Sequence, residues 1–586
     1  MKTGRAAVAF LALCGLSVRA FVVEVNSNGD PLRWHLDPPE PAVPPNPEGQ
    51  GVHTNVVNPA TRAVRFFLAS DAFSASNTAA ELNAVRAAFA QWQSIPGTVL
   101  RFEDAGLVAP GVDVNTSDNT NVVFWAKTST FVNGGRDNIS GTLAITFNSF
   151  FADNNAQAEA DIVFNGVQYS WFTDFTRPDG SRYFVESTAA HEVGHFLGLK
   201  HSPVGGATML FHGALGINAQ AGLSGDEVAA AKWLYGKPAT LATLGRLQGH
   251  VTMNGANVFG AAVLAEEAAS GNLVAGTVTR ADGSYDLPAM PPGQYSVRVT
   301  PLDPAGTSPF LIRGGEIASA FSSAETGFLP TANVALTLAA SATASRNFEV
   351  TSGNPAFRIT HIRQASAAAG SFRWSSYPTS ILPGQSNFFI GVAAATLPTD
   401  NATLAISGDG LTVGAPGFDS VSGLNFISVA ISVSSNATPG LRSFVVQQGE
   451  DIAYANGFLD IQASVPDFNF DGLDDRFQRK YFDLFTAPEA GPGADPDGDG
   501  VSNQAEYLAG TNPTLRIESV TLDARGSTIT WQSAPQKSYQ LWSRRDLAGE
   551  RWQTVGSPVK ATGALTEFTD SSATNDFRFY RVQVLP

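Results

Sequence analysis

The feature that most constrains this chain is the pattern HEVGHFLGLKH, which runs from His191 to His201. It contains three of the eight histidines in a chain of 586 residues. Residues four apart share one face of a helix, so a helix here turns His191 and His195 toward one point. Gly198 can adopt the positive φ that ends the helix and reverses the chain toward His201. The pattern therefore predicts a helix, a sharp stop and a return.

Three converging imidazoles are typical of a catalytic zinc site. Zinc binds imidazole nitrogens at about 2.0–2.1 Å, and catalytic sites keep one position open for water. Glu192 adjoins the first ligand and can reach that water without binding the metal. We therefore predict one zinc held by His191, His195 and His201, with Glu192 as the general base that activates the zinc-bound water.

The first twenty residues predict a secretion signal. Lys2 and Arg5 form a basic start, residues 6–16 are an apolar run too short to span a bilayer, and Ala20 ends a cleavage site. The single cysteine, Cys14, lies in this segment, so we expect no disulfides in the mature chain. No later stretch predicts a transmembrane segment. A net charge of −16 argues against nucleic acid as a partner.

The fold class predicted is multidomain, because 586 residues exceed what one hydrophobic core supports. Helical and strand periodicities alternate up to Lys237, which indicates an α+β domain with three helices and a sheet. Alternating strands with Asp-Gly and Pro-Gly turns follow, which indicates all-β sandwiches. The predicted segments are a signal at 1–20, an extended lead-in at 21–59, an α+β domain with the zinc site at 60–237, β-sandwiches at 245–350 and 354–463, an acidic segment with paired loops at 466–514, and a C-terminal β domain at 515–586.

The histidine pattern, with Ser202 after it and Met209 eight residues beyond His201, resembles the matrixin branch of the metzincin peptidases. The stretches LSGDEVAAAKWLYG and AFAQWQSIPGTVLRFED look like the last helix and the first helix with its strand in that family. The resemblance covers about residues 60–237. It implies that residues 60–237 form a zinc peptidase domain that hydrolyses peptide bonds by the zinc-activated water, with Glu192 as the general base. It also implies a mixed sheet and a hydrophobic floor made by Met209. It also implies a substrate peptide paired with an edge strand at 141–147, whose contact residues would be Gly141, Thr142, Leu143, Ala144 and Ile145.

The sequence departs from the matrixin pattern in two places. No histidine lies between His53 and His191, so we expect the family's second, structural zinc site to be absent. The mature chain has no cysteine, whereas the family usually carries one in a pro-segment that blocks the zinc.

Phe211 and His212 follow Met209, and their side chains could line the specificity pocket. For His212 the alternative is an exposed loop residue, and this is the interpretation we favour.

Residues 245–302 resemble the transthyretin-like repeat of the carboxypeptidase regulatory domain. The resemblance depends on Gly255-Ala256, on DGSY at 282–285 and on PGQY at 292–295. It implies a spacer or adhesive module without chemistry of its own. The β domains are therefore candidates for binding a cell-surface or matrix ligand.

Two acidic stretches fit the calcium-loop pattern, in which oxygens surround the ion and a glycine at the sixth position makes the turn. The second stretch, DPDGDGVSNQAE, fits throughout, and its predicted ligands are Asp495, Asp497, Asp499, Val501, Asn503 and Glu506. The first has Gln478 where the bidentate glutamate belongs, so it predicts a weaker site with Asp467, Asn469, Asp471 and Asp475. A solvated acidic linker is the alternative. The pair resembles the thrombospondin type 3 and dockerin-like repeats of secreted bacterial proteins, which implies one or two structural calcium ions and an extracellular, bacterial setting.

Two functions remain as hypotheses, with a third based on the calcium loops alone. The first is a secreted zinc metalloendopeptidase that acts on protein or peptide substrates. The second is a surface or matrix-associated binding protein with a vestigial peptidase domain. The retained Glu192 favours the first, because an inactive relative is free to lose its base. The third is a docking module for a cohesin-like partner.

Overall fold

The computed structural model describes two compact units, residues 1–464 and 465–586. The residues it describes are 21–26, 29–36, 55–151, 156–216, 219–304, 312–365, 373–375, 377–498, 500–515, 517–523, 525–533, 535–546, 551–573 and 578–585. The predicted signal with Cys14, residues 37–54 of the lead-in and the predicted ligand Asp499 lie outside them.

The first part of unit one is a sheet flanked by helices. Its elements are β1 (Val64–Ala69), α1 (Thr78–Gln93), β2 (Phe102–Val108), β3 (Val122–Ala126), β4 (Phe131–Val132), β5 (Asp137–Asn138), β6 (Ala144–Phe150), β7 (Gln157–Asn165), β8 (Trp171–Phe172), β9 (Tyr183–Phe184), α2 (Val185–Phe196), α3 (Gly225–Tyr235) and α4 (Pro238–Leu241). The main sheet has the order β2-β1-β3-β7-β6. All its neighbours are parallel except β6, which runs antiparallel to β7 and forms an edge.

The two longest helices pack together through buried aromatic and polar side chains. Trp92 of α1 is fully buried and donates its indole N–H to the carbonyl of Ala190 in α2 at 2.8 Å. Phe89 stacks on Phe66 of β1 with ring centroids 4.0 Å apart, which joins α1 to the sheet. Burial of large aromatic rings gives such a junction most of its stability. The helix that carries the histidine pattern is therefore held rigidly from one side.

Residues of the lead-in cover the end of α2. Val23 bridges Leu199 in antiparallel fashion, and the amide of Lys200 donates to the carbonyl of Val22 at 2.7 Å. Trp34 is fully buried and donates its indole N–H to the carbonyl of Phe196 at 2.8 Å. A helix leaves its last four carbonyls without intrahelical partners, and Trp34 satisfies one of them.

The second part of unit one consists of two packed sheets. Its elements are β10 (Gly245–Met253), β11 (Ala256–Asn257), β12 (Ala262–Glu267), β13 (Leu273–Val278), β14 (Ser284–Met290), β15 (Gly293–Thr300), α5 (Gly314–Ile317), β16 (Val334–Leu338), β17 (Thr343–Ser345) and β18 (Phe348–Glu349). One sheet has the order β11-β10-β14, with β17 and β18 also paired to β10, and the other has the order β13-β12-β15-β16.

The third part of unit one is another pair of sheets. Its strands are β19 (His361–Ala365), β20 (Arg373–Ser375), β21 (Thr379–Ile381), β22 (Phe388–Ala394), β23 (Thr403–Ile406), β24 (Leu411–Val413), β25 (Gly417–Val421), β26 (Leu424–Val433), β27 (Gly440–Gln448) and β28 (Asp451–Ile461). Hydrogen bonds from Arg298, a member of a buried ion pair within the second part, join the second part to it. Arg298 is paired with Glu266 at 2.7 Å and also donates to Ser443 at 2.8 Å and to Asn456 at 2.9 Å.

Unit two contains α6 (Asp475–Tyr481), α7 (Asn503–Ala509), β29 (Ile517–Asp523), β30 (Gly526–Gln532), β31 (Ser538–Arg544), β32 (Gln553–Lys560), β33 (Leu565–Asp570) and β34 (Phe579–Leu585). The strands form two three-stranded sheets. The prediction of a multidomain chain, mostly β-sheet with a few helices, is confirmed. Among the helices of the described residues, none combines the length and apolar character needed to cross a membrane.

Candidate metal centre

The three histidines of the sequence pattern converge on one point. The Nε2 atom of His195 lies 3.1 Å from that of His191 and 3.2 Å from that of His201. Two nitrogens bound to a tetrahedral zinc at about 2.0–2.1 Å lie about 3.3–3.4 Å apart, so the spacing fits that ion. Among the described residues, these form the one group of three or more histidine, cysteine, aspartate or glutamate side chains whose ligand atoms all lie within 4.8 Å of one another.

Each imidazole is held by a carbonyl on the side away from that point. The acceptors are Thr208 for His191 at 2.7 Å, Leu199 for His195 at 2.8 Å, and Glu316 for His201 at 2.5 Å. A carbonyl only accepts, so each Nδ1 carries the hydrogen and each Nε2 presents its lone pair. Burial lowers the pKa of His191 to about 4 and that of the other two well below the ordinary value, with neighbouring histidines as a further cause. All three are therefore neutral, which is the form that binds a metal.

Glu192 faces the edge strand beside this cluster. Its side chain is buried, with 3% of the residue exposed, and its Oε2 accepts a hydrogen bond from the hydroxyl of Thr146 in β6 at 2.7 Å. Burial raises the pKa of Glu192 to about 8, while the bond from Thr146 opposes that rise. The sequence did not single out Thr146, because nothing local distinguishes it from other strand residues.

Met209 lies directly beneath α2. A Cβ atom added to Gly194 would meet its sulfur at 2.2 Å, so the helix can approach the methionine this closely only because residue 194 is a glycine. The amide of Met209 donates to the carboxylate of Glu227 at 2.8 Å, and the same glutamate makes a capping box with Ser224 at the start of α3. Met209 is therefore fixed both by packing and by hydrogen bonding.

Gly198 lies two residues after the last residue of α2, Phe196. Its φ is +96°, a conformation that side chains rarely adopt. The carbonyl oxygen of Leu32 also lies 2.3 Å from the position a Cβ would occupy there. Two independent constraints thus require glycine at the turn that brings His201 back to the centre.

The edge strand begins later than the sequence suggested. Strand β6 spans Ala144–Phe150, so Ala144 and Ile145 lie in it, whereas Gly141, Thr142 and Leu143 lie in the turn before it. Besides the contact from Thr146, the side-chain amide of Asn148 donates to the carbonyl of His195 at 3.1 Å. Strand and helix are therefore tied together along the length of the site.

Aromatic side chains follow the Met209 turn. The ring of Phe211 lies 6.4 Å from that of His201 and stacks on His212 at 3.8 Å. The prediction that His212 is an exposed loop residue is wrong, because it is half-buried and its ring contacts Tyr377 of the third part at 5.5 Å. Leu143, just before β6, packs against Gly213, the residue that follows His212.

In unit two, both acidic stretches form loops that run directly into helices. Asp467 accepts backbone hydrogen bonds from Asp471 at 2.9 Å and Gly472 at 3.0 Å, and Asp495 accepts them from Gly498 and Gly500 at 2.9 Å. The sixth-position glycines have φ of +84° and +89°. Several predicted ligands are buried at the helix starts or within the helices: Asp475, Asn503 and Glu506. Asn469 is buried as well, whereas Asp471 is half-buried and Asp497 and Val501 lie in the loops.

Comparison with solved structures gives only remote likenesses. The major pilin subunit BcpA of Bacillus cereus is 10% identical, with coverage of 56% of this chain and 84% of that chain and a TM-score of 0.14. Fervidolysin from Fervidobacterium pennivorans is 11% identical, with coverage of 58% and 55% and a TM-score of 0.13. At such TM-scores neither likeness bears on fold or function. No curated protein matches the chain.

Family models match two of the described parts. The matrixin model matches residues 61–236, which contain the whole histidine cluster, and the carboxypeptidase regulatory-like model matches residues 246–309. A matrixin domain indicates a zinc metallopeptidase that acts on protein or peptide substrates. The chain therefore carries a matrixin domain at residues 61–236, followed by a carboxypeptidase regulatory-like domain at residues 246–309.

Proposed function

We propose that this chain is a secreted zinc-dependent metalloendopeptidase. The observation that carries the proposal is the convergence of three neutral imidazole nitrogens beside the buried carboxylate of Glu192, inside the matrixin match. Secretion is supported by the N-terminal pattern of residues 1–20. We keep the predicted segment boundaries, with the peptidase domain at 60–237, and a metzincin fold in which Met209 forms the floor.

The chain's own residues would divide the work as follows. Zinc, when bound by the three histidines, would polarise the scissile carbonyl and acidify water. Glu192 takes the proton of the attacking water and passes it to the leaving amine. Thr146 holds the carboxylate of Glu192 in one orientation beside the edge strand. The carbonyls behind the histidines keep the imidazoles in the required tautomer.

The substrate would be an extended peptide beside β6. This strand forms the edge of the sheet, so its outer backbone groups are placed to pair with another strand. Main-chain pairing gives affinity with little sequence preference. Leu143, Tyr183 and Phe211 surround the turn after Met209 and would shape side-chain preference.

We also propose that calcium binds the two loops of unit two and orders residues 466–514. Support comes from the glycine turns at the sixth positions and from the buried side chains at the ninth and twelfth positions. Calcium at millimolar concentration is typical of extracellular fluids, which agrees with secretion. The β domains remain candidates for a surface or matrix ligand.

Two substitutions in the full chain test the peptidase proposal. Glu192→Gln keeps the metal ligands but removes the base, so we expect bound zinc to persist while peptide cleavage falls by about 10²–10⁴-fold. His201→Ala should lose zinc as well. His212→Asn, which alters a neighbouring histidine outside the cluster, serves as the control and should retain one zinc per chain by elemental analysis.

The outcomes separate the hypotheses. Glu192→Gln cleaving as fast as the parent would exclude the proposed base. A parent chain that holds zinc but cleaves nothing in a proteome-derived peptide mixture would favour the vestigial binding protein instead.

A further inference from the structure

The histidine cluster depends on a group outside the matrixin match. Two of the three carbonyls that fix the imidazoles, those of Thr208 and Leu199, belong to residues 61–236. The third belongs to Glu316, which lies 115 positions after His201, in α5 of the second part. A carbonyl near the end of a short helix has no intrahelical donor, so it is free to accept from a side chain.

Helix α5 is anchored on the peptidase domain by apolar burial. Ile317, the last residue of α5, and Phe321, just after it, are each 1% exposed and belong to one apolar cluster with Val204 and Leu210, which lie in the loop between His201 and Phe211. Burial of apolar side chains of this size is a main source of packing stability. The contact between Glu316 and His201 is thus held in place by packing, and the hydrogen bond alone does not have to maintain it.

The loop that follows His201 is fastened to the other parts at two further points. Asp226 of α3 accepts from the hydroxyl of Ser202 at 2.7 Å and from the amide of Gly276 in β13 at 2.7 Å. The amide of Gly205 donates to the carbonyl of Asn456 in β28 at 2.8 Å. The loop that follows His201, the third predicted ligand, is therefore held in place by hydrogen bonds that reach the second and third parts of unit one.

We infer that the second part of unit one completes the metal centre. The main-chain carbonyl of Glu316 is a positioning group that sets the tautomer and orientation of His201. The inference rests on the proposed zinc function. The carbonyl contacts Nδ1, the nitrogen remote from the cluster, so it supports the ligand and leaves Nε2 accessible. An inhibitory segment would instead have to approach Nε2. The functional peptidase therefore extends beyond residue 237 and includes α5.

Displacement of α5 in the full chain tests this role. A Cβ at Gly314 would lie 1.9 Å from the carbonyl oxygen of Phe321, so Gly314→Val must shift the helix. Its neighbour Gly315 has only the hydroxyl of Ser322 at 3.3 Å, so Gly315→Ala is a matched control. Glu316→Gln keeps the carbonyl and removes only the carboxylate that pairs with Arg313. Ile317→Ala, which removes an apolar anchor, is a second displacing variant in case the valine variant does not fold.

The main readout is zinc affinity, measured by competition with a chromogenic chelator. Loss of an outer-shell partner typically costs 10–100-fold in metal affinity, so we expect that loss in Gly314→Val and Ile317→Ala and none in Gly315→Ala or Glu316→Gln. The visible spectrum of the cobalt-substituted protein should change in the same two variants, because this spectrum reports the geometry of the ligands. If α5 only stabilised the fold, the spectrum would stay the same.

The inference is overturned if both displacing variants bind zinc like the parent, or if displacement raises peptidase activity, which would indicate a blocking contact. A parent chain that binds no zinc would instead refute the proposed function, so the two failures are distinguishable.

Discussion

The hydroxyl of Thr146 donates to Oε2 of Glu192 at 2.7 Å and lies 3.0 Å from the main-chain oxygen of the same residue. The bond links the edge strand, where a substrate would pair, to the residue proposed as the base. It fixes the direction of a carboxylate that has been withdrawn from water. A hydrogen bond to a charged group contributes about 1.5–3 kcal/mol, so its loss would matter.

We predict that Thr146→Val, which keeps the side-chain shape and removes the donor, lowers kcat/KM by about 10–100-fold. Zinc content should stay at the parent level, because Thr146 does not contact the histidines. Steady-state cleavage of a fluorogenic peptide measures the effect. Thr128→Val, at an exposed position after β3, is the matched control and should behave like the parent. A Thr146→Val enzyme with parental kcat/KM would show that the bond has no catalytic role.

Much of the histidine centre follows from local sequence, because a helix fixes the relation of His191 to His195 and a glycine fixes the return to His201. The parts that local sequence could not give are those contributed from a distance. Glu316 acts through its main chain, so its residue type carries no signal at all. Thr146 is one of several polar residues in its strand, and only the register of β6 against α2 selects it. The start of β6 at Ala144 was missed because a turn with φ of +82° at Gly141 precedes it.

The close approach of Gly194 to Met209 gives a second prediction. Gly194→Ala places a methyl group 2.2 Å from the methionine sulfur, so helix and turn must separate. Overpacking of this kind costs about 1–3 kcal/mol, and we expect a lower melting temperature together with weaker zinc binding. Gly180→Ala, at a glycine with open space around it, should change neither quantity.

A compensating substitution sharpens this test. Met209→Ala removes the clashing sulfur, so the double variant Gly194→Ala/Met209→Ala should be more stable than the sum of the two single effects predicts. Simple additivity of the two melting shifts would mean that the residues do not interact as described.

Asp226 gives a prediction about pH. Burial, with the charge of Glu227 as second cause, raises its pKa from 3.8 to about 7. Between about pH 4 and pH 7 the folded chain therefore holds a proton that the unfolded chain has released, and the free energy of unfolding decreases as pH rises through that window. Asp226→Asn removes this dependence while its amide can still bond to Ser202 and Gly276.

We expect the melting temperature of Asp226→Asn to fall less than that of the parent between pH 5 and pH 7.5, as followed by circular dichroism. Asp179→Asn is the control, because hydrogen bonds from Ser181 lower the pKa of Asp179 and keep it ionised throughout this range. Parallel curves for Asp226→Asn and the parent would contradict the assignment.

The two acidic loops differ in how their twelfth position is used, and this predicts their order of calcium affinity. The amide of Gln478 donates to a carboxylate oxygen of Asp471 at 2.7 Å and to the carbonyl of Ala490 at 2.9 Å. The side-chain amide of Gln478 therefore occupies a carboxylate oxygen of Asp471 that a cation would otherwise bind. In the second loop the same position is Glu506, an acceptor that can bind calcium bidentately. The first loop should accordingly bind calcium more weakly than the second.

Gln478→Glu should raise the calcium affinity of the first loop, because it replaces the amide donor with a second carboxylate. That carboxylate repels Asp471 unless a cation binds between them. Glu506→Gln should weaken the second loop correspondingly. Calorimetric titration with calcium chloride measures both, with dissociation constants of about 10⁻⁴–10⁻³ M expected for the parent. The Glu192→Gln background prevents self-cleavage during limited proteolysis, in which a chelator should expose new cuts between Pro466 and Pro513. If calcium gives no heat in any variant and the chelator leaves the digestion pattern unchanged, the acidic stretches do not bind calcium. They are then solvated segments whose loops are held by the hydrogen bonds within them.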